Sequence, residues 1–474
     1  MLFRLLYDDK LAQAAYLIGC QRTGEAIVID PERDVDRYTD AAAREGLRIV
    51  AVAETHIHAD FLSGARELAE AAGAHLYLSD EGGEGWRYTW LDKKRGGGAY
   101  AHTLLHDGDA FRVGNIDFKA LHTPGHTPEH ICFEVTDAGA GASASIGVVT
   151  GDFVFVGDLG RPDLLETAAG QVGAKEPAAK ALRHSVRRFL DLPDHLQVWP
   201  GHGAGSACGK ALGAVPQSTV GYEKITNPAI AAAADEAGFL GHILTGQPAP
   251  PLYFARMKRL NRDGPPLLGA LPAPRRIGAS ELASMDTRRE ALLDTRPWDA
   301  FRAGHIPGAL STPLDRTFPT IAGSYVREGE RVTLIVEEPR LEEAVRDLVR
   351  VGVDDIAAWA PPEAVREAAG PLATLKEIDS ATLKQRLDAG ERPFILDVRR
   401  AEEHARGAIG DAVNATHVRL PERLEGLPND RPILVHCQGG VRSARAASLL
   451  QRAGFDVTNL EGGYGAYEKV AGDT

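Results

Sequence analysis

The sequence predicts an α/β protein of three domains, and three observations support this prediction. The chain has 474 residues, and a prior of about 150 residues per domain gives about three domains. Strand-like and helix-like segments alternate up to about Gly246, as in Glu25–Ile29 and Ser63–Ala72. Such alternation is typical of α/β folds. A sequence repeat in the second half of the chain then indicates two copies of one further α/β domain.

Proline-rich stretches mark the predicted domain boundaries. They lie at Gln247–Pro251, Gly264–Pro266 and Pro272–Pro274, where proline and glycine interrupt regular backbone pairing. We therefore predict four segments: a first domain over residues 1–246, a linker over 247–274, a second domain over 275–370 and a third over 371–474.

The second and third domains are predicted from the repeat. Leu292–Arg296 before Gly304–Ala309 in the first copy is echoed by Ile395–Arg399 before Gly407–Ala412 in the second copy. The period is about one hundred residues, whereas solenoid repeats have about 20 to 50. The pattern therefore predicts tandem domains.

Composition limits the partners that the chain can have. The net charge is −13, whereas a nucleic-acid or anionic-membrane surface needs a basic field. No apolar run is long enough to span a membrane, and the first residues lack the apolar stretch of a secretory signal. We therefore expect small-molecule partners, no nucleic acid, no membrane and a cytoplasmic location. We also expect a homo-oligomer, as is frequent for acidic α/β enzymes of this size.

The four cysteines are Cys20, Cys132, Cys208 and Cys437. They are far apart and form no Cys-x-x-Cys pair, which excludes a disulfide scaffold and a zinc finger. Cys20 and Cys132 lie in apolar strand-like runs and are predicted to be core residues. Cys208 has glycine-rich surroundings and Lys210 nearby, so it is either a reactive thiol or a buried structural residue.

Histidine and aspartate turns in the first domain predict a metal site. Each of the four turns carries glycine or proline or follows an apolar run: Thr55–Phe61, Thr123–Pro128, Val149–Asp152 and Trp199–Gly203. Loops at strand ends are where α/β folds place functional side chains. Histidine and carboxylate groups in such turns are typical metal ligands.

This arrangement resembles the metallo-β-lactamase superfamily, which implies an αββα sandwich for the first domain. Dinuclear members have a histidine where this chain has Phe61, so we predict a weak or empty second metal position. Two mononuclear ligand sets remain open. His56, His58 and His126 would suit zinc and hydrolysis, whereas two histidines and a carboxylate, His56, His126 and Asp152, are typical of ferrous oxygenases.

A closer resemblance favours the second set. The order Thr55–Asp60, Thr123–His126, Thr150–Asp152 and Gly160–Asp163 is similar to persulfide dioxygenases. This resemblance implies Fe(II), one per chain, bound by His56, His126 and Asp152, with zinc as the alternative. His58, Asp60 and His202 would then orient ligands or water, or they are relics of a two-metal ancestor with only structural roles. We predict five further residues as supporting groups or possible substrate contacts: His58, Asp60, Arg161, His202 and Cys208.

The second copy contains a candidate sulfur-transfer loop. The strand Ile433–His436 leads into Cys437–Arg442, and a helical run begins at Ser443. Backbone N–H groups, a helix N-terminus and the Arg442 charge all favour a thiolate. The loop resembles that of rhodaneses, which implies that Cys437 and Arg442 are catalytic and that four residues form the sulfur cradle: Gln438, Gly439, Gly440 and Val441. After Val336, the first copy has acidic residues and no cysteine, so we predict that it is catalytically inactive.

The whole chain resembles fusions of persulfide dioxygenase and tandem rhodanese domains. This implies oxidation of glutathione persulfide, or of another low-molecular-weight thiol persulfide, by dioxygen to sulfite. Cys437 would then transfer sulfur between persulfide, sulfite and thiosulfate. Two alternatives remain: a zinc-dependent thioester hydrolase of the hydroxyacyl-glutathione type fused to a sulfurtransferase, and a non-enzymatic sulfur carrier or persulfide sensor.

Overall fold

The computed structural model describes residues 1–168 and 170–472. The last two residues of the predicted third domain, 473 and 474, therefore lie outside the described residues. The chain divides into two compact units: residues 1–270 with 349–352, and the remaining described residues from 271 onward. Among the described residues, no helix is both long enough and apolar enough to cross a membrane.

The first unit contains two six-stranded sheets and a two-stranded hairpin. Its strands are β1 Leu2–Asp8, β2 Gln13–Cys20, β3 Glu25–Ile29, β4 Arg48–Ala53, β5 His75–Ser79, β6 His102–Leu105, β7 Ala110–Val113, β8 Ile116–His122, β9 Ile131–Thr136, β10 Gly147–Gly151, β11 Val154–Phe155, β12 Asp158–Leu159, β13 Gln197–Pro200 and β14 Ser218–Thr219. Strands β1 to β6 form one sheet in chain order, and the other has the order β14-β13-β10-β9-β8-β7.

Helices cover the outer faces of these two sheets. They are α1 Asp36–Arg44, α2 Ala65–Ala72, α3 Leu164–Thr167, α4 Lys175–Leu190, α5 Val220–Thr226, α6 Pro228–Ala232, α7 Glu236–Leu244 and α8 Phe254–Asp263. Ile18 and Phe118 belong to the core between the sheets. Leu68 of α2 packs in the core of the first sheet, and Leu182 of α4 packs in that of the second. The layers are helix, sheet, sheet and helix, which confirms the predicted αββα sandwich.

The predicted linker over 247–274 is wrong in part, because it contains α8, which belongs to the first unit. Phe254, Met257 and Asn261 are buried, and their spacing places them on one face of a helix. In the sequence, this short periodic pattern lies between proline-rich stretches that are typical of a linker.

The second unit contains two five-stranded parallel sheets with the same strand arrangement. Its strands are β15 Arg275–Arg276, β16 Ala291–Asp294, β17 Leu310–Ser311, β18 Val332–Ile335, β19 Ile356–Ala360, β20 Lys376–Ile378, β21 Phe394–Asp397, β22 Val413–Asn414, β23 Ile433–His436 and β24 Val457–Leu460. Their orders are β15-β19-β18-β16-β17 and β20-β24-β23-β21-β22. Each strand of one sheet therefore has a counterpart in the other, as the repeat predicts.

The remaining helices surround these two sheets. They are α9 Ala279–Ala283, α10 Trp298–Ala303, α11 Phe318–Tyr325, α12 Leu341–Arg350, α13 Glu363–Glu367, α14 Ser380–Asp388, α15 Ala401–Ala405, α16 Val441–Arg452 and α17 Gly463–Gly472. In both units the predicted site residues follow strand ends: β4 ends before His56, β10 before Asp152 and β23 before Cys437. The carboxyl edges of parallel strands therefore position the candidate sites.

Candidate metal centre and sulfur-transfer loop

Three of the predicted ligands converge in the first unit. His56, His126 and Asp152 each offer one donor atom, and these atoms all lie within 4.8 Å of one another. Oδ2 of Asp152 lies 3.5 Å from Nε2 of His126 and 4.0 Å from Nε2 of His56. All three side chains are buried. The fold thus brings together residues that are almost one hundred positions apart, as expected from loops at strand ends.

The donor atoms of this cluster have the properties that a cation requires. Nε2 of His56 and both carboxylate oxygens of Asp152 are buried without a hydrogen-bond partner among the described residues. Leaving a carboxylate in this state is costly unless a cation compensates it. Burial also lowers the pKa of His56 and of His126. Both imidazoles are therefore neutral, which is the form that binds metals.

Hydrogen bonds fix which nitrogen of each ring is available. The Thr55 hydroxyl donates to Asp30 Oδ2 over 2.8 Å and accepts from Nδ1 of His56 over 2.9 Å. Nδ1 of His126 donates to the Arg161 carbonyl over 3.2 Å, because a carbonyl can only accept. In both rings the proton is on Nδ1, and Nε2 faces the cluster with a free lone pair.

His58 is held differently from the other two histidines. Its Nε2 lies 3.2 Å from Asp30 Oδ1 and 3.3 Å from Glu54 Oε2, and these three residues form a separate buried group. Burial lowers the pKa of His58, but the two carboxylates outweigh burial and hold this pKa well above its usual value. Nδ1 of His58 has no partner among the described residues. The geometry places Asp152, and not His58, with His56 and His126.

A third buried group consists of Asp60, His202 and Cys208. Nε2 of His202 lies 3.2 Å from Asp60 Oδ2 and 3.4 Å from Asp152 Oδ1, while its Nδ1 donates to the Ala12 carbonyl over 3.0 Å. Burial alone would lower the pKa of His202. Asp152 and the other acidic neighbours have the opposite and larger effect, so this pKa lies well above its usual value. A protonated His202 beside two carboxylates results.

The environment of Cys208 disfavours a reactive thiolate. Burial, together with Asp60 and Asp152, raises the pKa of its thiol to about 12. Lys210, which the sequence suggested as an activating charge, donates instead to the backbone carbonyls of His242 and Thr245. Of the two predicted roles for Cys208, a reactive thiol or a buried structural residue, the geometry favours the second.

Arg161 is a fully buried structural cation. Its Nε and Nη2 donate to Asp163 over 3.0 and 2.6 Å, and its Nη1 donates to the Ala207 carbonyl over 2.9 Å. Because its own carbonyl accepts from His126, Arg161 connects the loop before Cys208 to a candidate ligand. Through these bonds it supports the cluster.

Sequence reasoning missed several supporting residues. Asp30 has a φ of +53°, a strained value that non-glycine residues seldom adopt. Its position directly after β3 is the one sequence feature that could have identified it as a site residue. Nε2 of His130 accepts from the Asp152 N–H over 3.1 Å. The Asn261 side chain on α8 donates to the carbonyls of His58 and Phe61 over 2.8 Å each. The position of Asn261 in the predicted linker concealed it.

The Cys437 loop brings donor groups to the sulfur. The Gly440 N–H donates to Cys437 Sγ over 3.1 Å, and the Ser443 hydroxyl donates to the same sulfur over 3.5 Å. Helix α16 begins immediately afterwards, with Gly440 at a φ of +90°. A side chain at Gly463 would meet the Cys437 carbonyl at 2.3 Å, so only glycine fits there. The helix N-terminus therefore faces the sulfur, as predicted.

Arg442 is paired rather than free. Its two terminal nitrogens donate to the two carboxylate oxygens of Glu403, over 2.7 Å each. Arg442 also interacts with the Cys437 side chain, so the predicted positive charge lies beside the sulfur, and Glu403 neutralises part of it. Gln438 is fixed by Arg399, whose Nη1 donates to it over 3.2 Å. Neither Glu403 nor Arg399 was identified from the loop sequence.

Comparisons with known proteins agree with this architecture. The family model of the metallo-beta-lactamase superfamily matches residues 8–202, and that of the rhodanese-like domain matches residues 379–469. A crystal structure of a metallo-beta-lactamase from Staphylococcus aureus is 43% identical, with a TM-score of 0.69, and the match covers 76% of this chain and 99% of that chain.

Two curated relatives correspond to the two ends of the chain. A putative sulfurtransferase of Bacillus subtilis is 38% identical, over 20% of this chain and 91% of its own length. The mitochondrial persulfide dioxygenase of Bos taurus is 26% identical, over 50% of this chain and 78% of its own length. The chain also spans about half the length, 53%, of several beta-lactamase hydrolase-like proteins. This chain therefore belongs to the metallo-beta-lactamase superfamily and carries a C-terminal rhodanese-like domain.

Proposed function

We propose that the first unit oxidises a low-molecular-weight thiol persulfide, such as glutathione persulfide, with dioxygen, and that Cys437 transfers sulfur between persulfide, sulfite and thiosulfate. One observation carries the proposal. His56, His126 and Asp152 form a buried two-histidine, one-carboxylate set, distinct from the group that contains His58, and Nε2 of His56 and both oxygens of Asp152 have no hydrogen-bond partner among the described residues. The similarity to the Bos taurus persulfide dioxygenase supports the substrate class.

The donor set favours Fe(II), one per chain. Two imidazoles and one carboxylate leave three open positions on an octahedral metal, as in ferrous oxygenases, whereas a tetrahedral catalytic zinc with three protein ligands has a single open position. Ferrous iron bound by His56, His126 and Asp152 would supply the dioxygen chemistry. The net reaction converts persulfide, dioxygen and water into sulfite, thiol and two protons.

The chain's own residues have defined tasks in this reaction. Thr55 and the Arg161 carbonyl hold the protons of His56 and His126 on Nδ1, which keeps Nε2 available. His202 is 3.4 Å from Asp152 and can hold or release a proton at Nε2. Phe61 is buried against the His58 ring, at a centroid distance of 4.4 Å, and excludes water there.

Sulfur transfer requires no metal. The Cys437 thiolate attacks the outer sulfur of a persulfide, the sulfur–sulfur bond of the substrate breaks, and the thiol leaves with a proton. Sulfite then attacks the outer sulfur of the Cys437 persulfide, which releases thiosulfate and regenerates the thiolate. The Gly440 N–H and the Ser443 hydroxyl stabilise the anionic sulfur in both states. With thiosulfate as the donor, the same steps run in reverse.

Anaerobic purification, metal quantification and an oxygen-electrode assay with glutathione persulfide test the proposal together. We expect about one iron per chain and dioxygen uptake that yields sulfite or thiosulfate. Zinc, thioester cleavage and no dioxygen uptake would instead support a thioester hydrolase. Stoichiometric labelling of Cys437 without turnover would support a sulfur carrier or persulfide sensor.

A further inference from the structure

One face of helix α16, which follows the Cys437 loop, is held by the first copy. The contacts occur at intervals of three or four residues, so they lie on one helix face. They pair Asp315 with Arg445, the Ser311 N–H with Ser448 Oγ over 2.9 Å, His305 Nε2 with Gln451 Oε1 over 2.8 Å and Glu330 with Arg452 over 2.6 Å.

Arg445 connects this face to the sulfur cradle. Its guanidinium is 4% exposed and forms an ion pair with Asp315. Its Nη1 donates to the Val441 carbonyl over 2.9 Å. Val441 directly follows Gly440, whose N–H donates to Cys437 Sγ. A continuous series of contacts therefore runs from a carboxylate of the first copy to the nucleophilic sulfur of the second.

We propose that Asp315, in the copy that lacks a cysteine, is a positioning residue for sulfur transfer at Cys437. The inference rests on the proposed sulfurtransferase function. A guanidinium this deeply buried needs an anionic partner, so loss of the Asp315 charge displaces Arg445. The first turn of α16 then shifts together with the N–H groups that bind the sulfur. Misplacement by about 1 Å at a reacting centre costs up to about a hundredfold in rate.

A cavity beside the loop supports this role. It has a volume of about 400 Å³ and is lined by Gly439 and Gly440 of the loop and by Pro297, Trp298 and Asp315 of the first copy. Trp298 is fixed by its indole N–H, which donates to Glu377 over 2.9 Å. The first copy, which lacks a cysteine, thus forms one wall of the space next to the sulfur-transfer loop.

Asp315→Asn separates the charge of this residue from its local backbone role. Asp315 Oδ1 accepts from the N–H and the hydroxyl of Thr317 over 2.8 Å each, and an asparagine oxygen can still accept these bonds. The Oδ2 that accepts from Arg445 is replaced by an NH2 group, so both the charge and the acceptor facing Arg445 are lost. We expect kcat/KM for sulfur transfer from glutathione persulfide to sulfite to fall about tenfold to a hundredfold, with dioxygen uptake unchanged within twofold.

Two matched variants complete the test. Asp299→Asn removes a carboxylate that lines the same cavity but is 86% exposed and pairs with Arg302 one turn away; we expect wild-type transfer. Asp315→Glu keeps the charge while disturbing the bonds to Thr317, and should recover most of the activity. Transfer at the wild-type rate in Asp315→Asn, equal losses in both asparagine variants, or no recovery in Asp315→Glu would each overturn the proposal.

The same assays distinguish failure of the proposed function. Dioxygen uptake reports on the first unit, so its loss in Asp315→Asn would indicate general misfolding and overturn the positioning role. If Cys437→Ser retained full transfer in the parent chain, the sulfurtransferase function itself would fail, whatever the Asp315 variants did.

Discussion

The two candidate sites are assembled in opposite ways. The sulfur cradle is local: Cys437, Gly440 and Ser443 lie within seven consecutive residues, and the backbone between a strand and a helix creates the site. The metal cluster is assembled from His56, His126 and Asp152, which only the packing of two sheets brings together. A local site depends on loop geometry, whereas a distributed site depends on the fold and on every group that orients its members.

Their electrostatics also differ. At the metal cluster, buried donor atoms lack partners among the described residues, so the folded chain carries a cost that a cation removes. At the sulfur loop, donors of the protein already face the sulfur, and Arg442 interacts with both Glu403 and Cys437. We therefore expect that metal removal affects only the first site and that thiol modification affects only the second.

Loss of a candidate ligand should have the largest effect. His126→Ala removes an imidazole from the cluster and should lower metal affinity by more than about a hundredfold, since loss of a supporting residue alone costs about ten- to a hundredfold. Dioxygen uptake should disappear while sulfur transfer persists. Metal content and an oxygen electrode provide the measurements. His195→Ala alters a histidine that hydrogen-bonds the Ser145 carbonyl, far in the sequence from the candidate ligands, and should change neither quantity; retained metal in His126→Ala would contradict the assignment.

A smaller loss of metal affinity is expected when the substituted residue only orients a ligand. In Asp30→Asn, the new amide donates to the Thr55 hydroxyl, which must then donate to His56 Nδ1 and shift the ring proton to Nε2. Metal affinity should fall about ten- to a hundredfold, as measured by competition with a chelator. Glu54→Gln alters the other partner of His58 but leaves the Thr55 bonds intact, so its effect should be weaker. An equal effect in both variants would contradict the tautomer argument.

The smallest effect concerns stability near the metal cluster. Burial raises the pKa of Glu129 to about 7, against a usual 4.5. Between these values the unfolded chain is ionised while the folded chain stays protonated, so stability falls as pH rises through this window. The difference corresponds to about 3 kcal/mol at most.

Glu129→Gln cannot ionise, so its urea unfolding midpoint should decline less than that of the parent between pH 5 and pH 8. Glu176→Gln removes a carboxylate that is 61% exposed and pairs with Lys180, and it should behave like the parent. Identical pH profiles for Glu129→Gln and the parent would show that Glu129 does not ionise on unfolding in this range.

The sequence predicted the architecture more completely than it predicted the residues that support the sites. Strand and helix alternation and the repeat predicted both α/β units, and the Cys437 loop could be predicted because its geometry is contained in adjacent residues. Contacts between distant segments were not predictable. Asp30 and Asn261 act through hydrogen bonds to loops far away in the chain, and Glu403 neutralises Arg442 from another helix. The sequence pattern alone also left His58 and Asp152 as competing ligands.

The central claim is that oxidation and sulfur transfer occur at separate sites. Cys437→Ser tests it most directly, with dioxygen uptake and sulfur products measured in one reaction on glutathione persulfide, because a serine hydroxyl cannot hold the transferred sulfur. We predict uptake within twofold of the parent, thiosulfate formation reduced more than about a hundredfold and sulfite accumulating in its place. Equal loss of dioxygen uptake and thiosulfate formation would contradict separate sites.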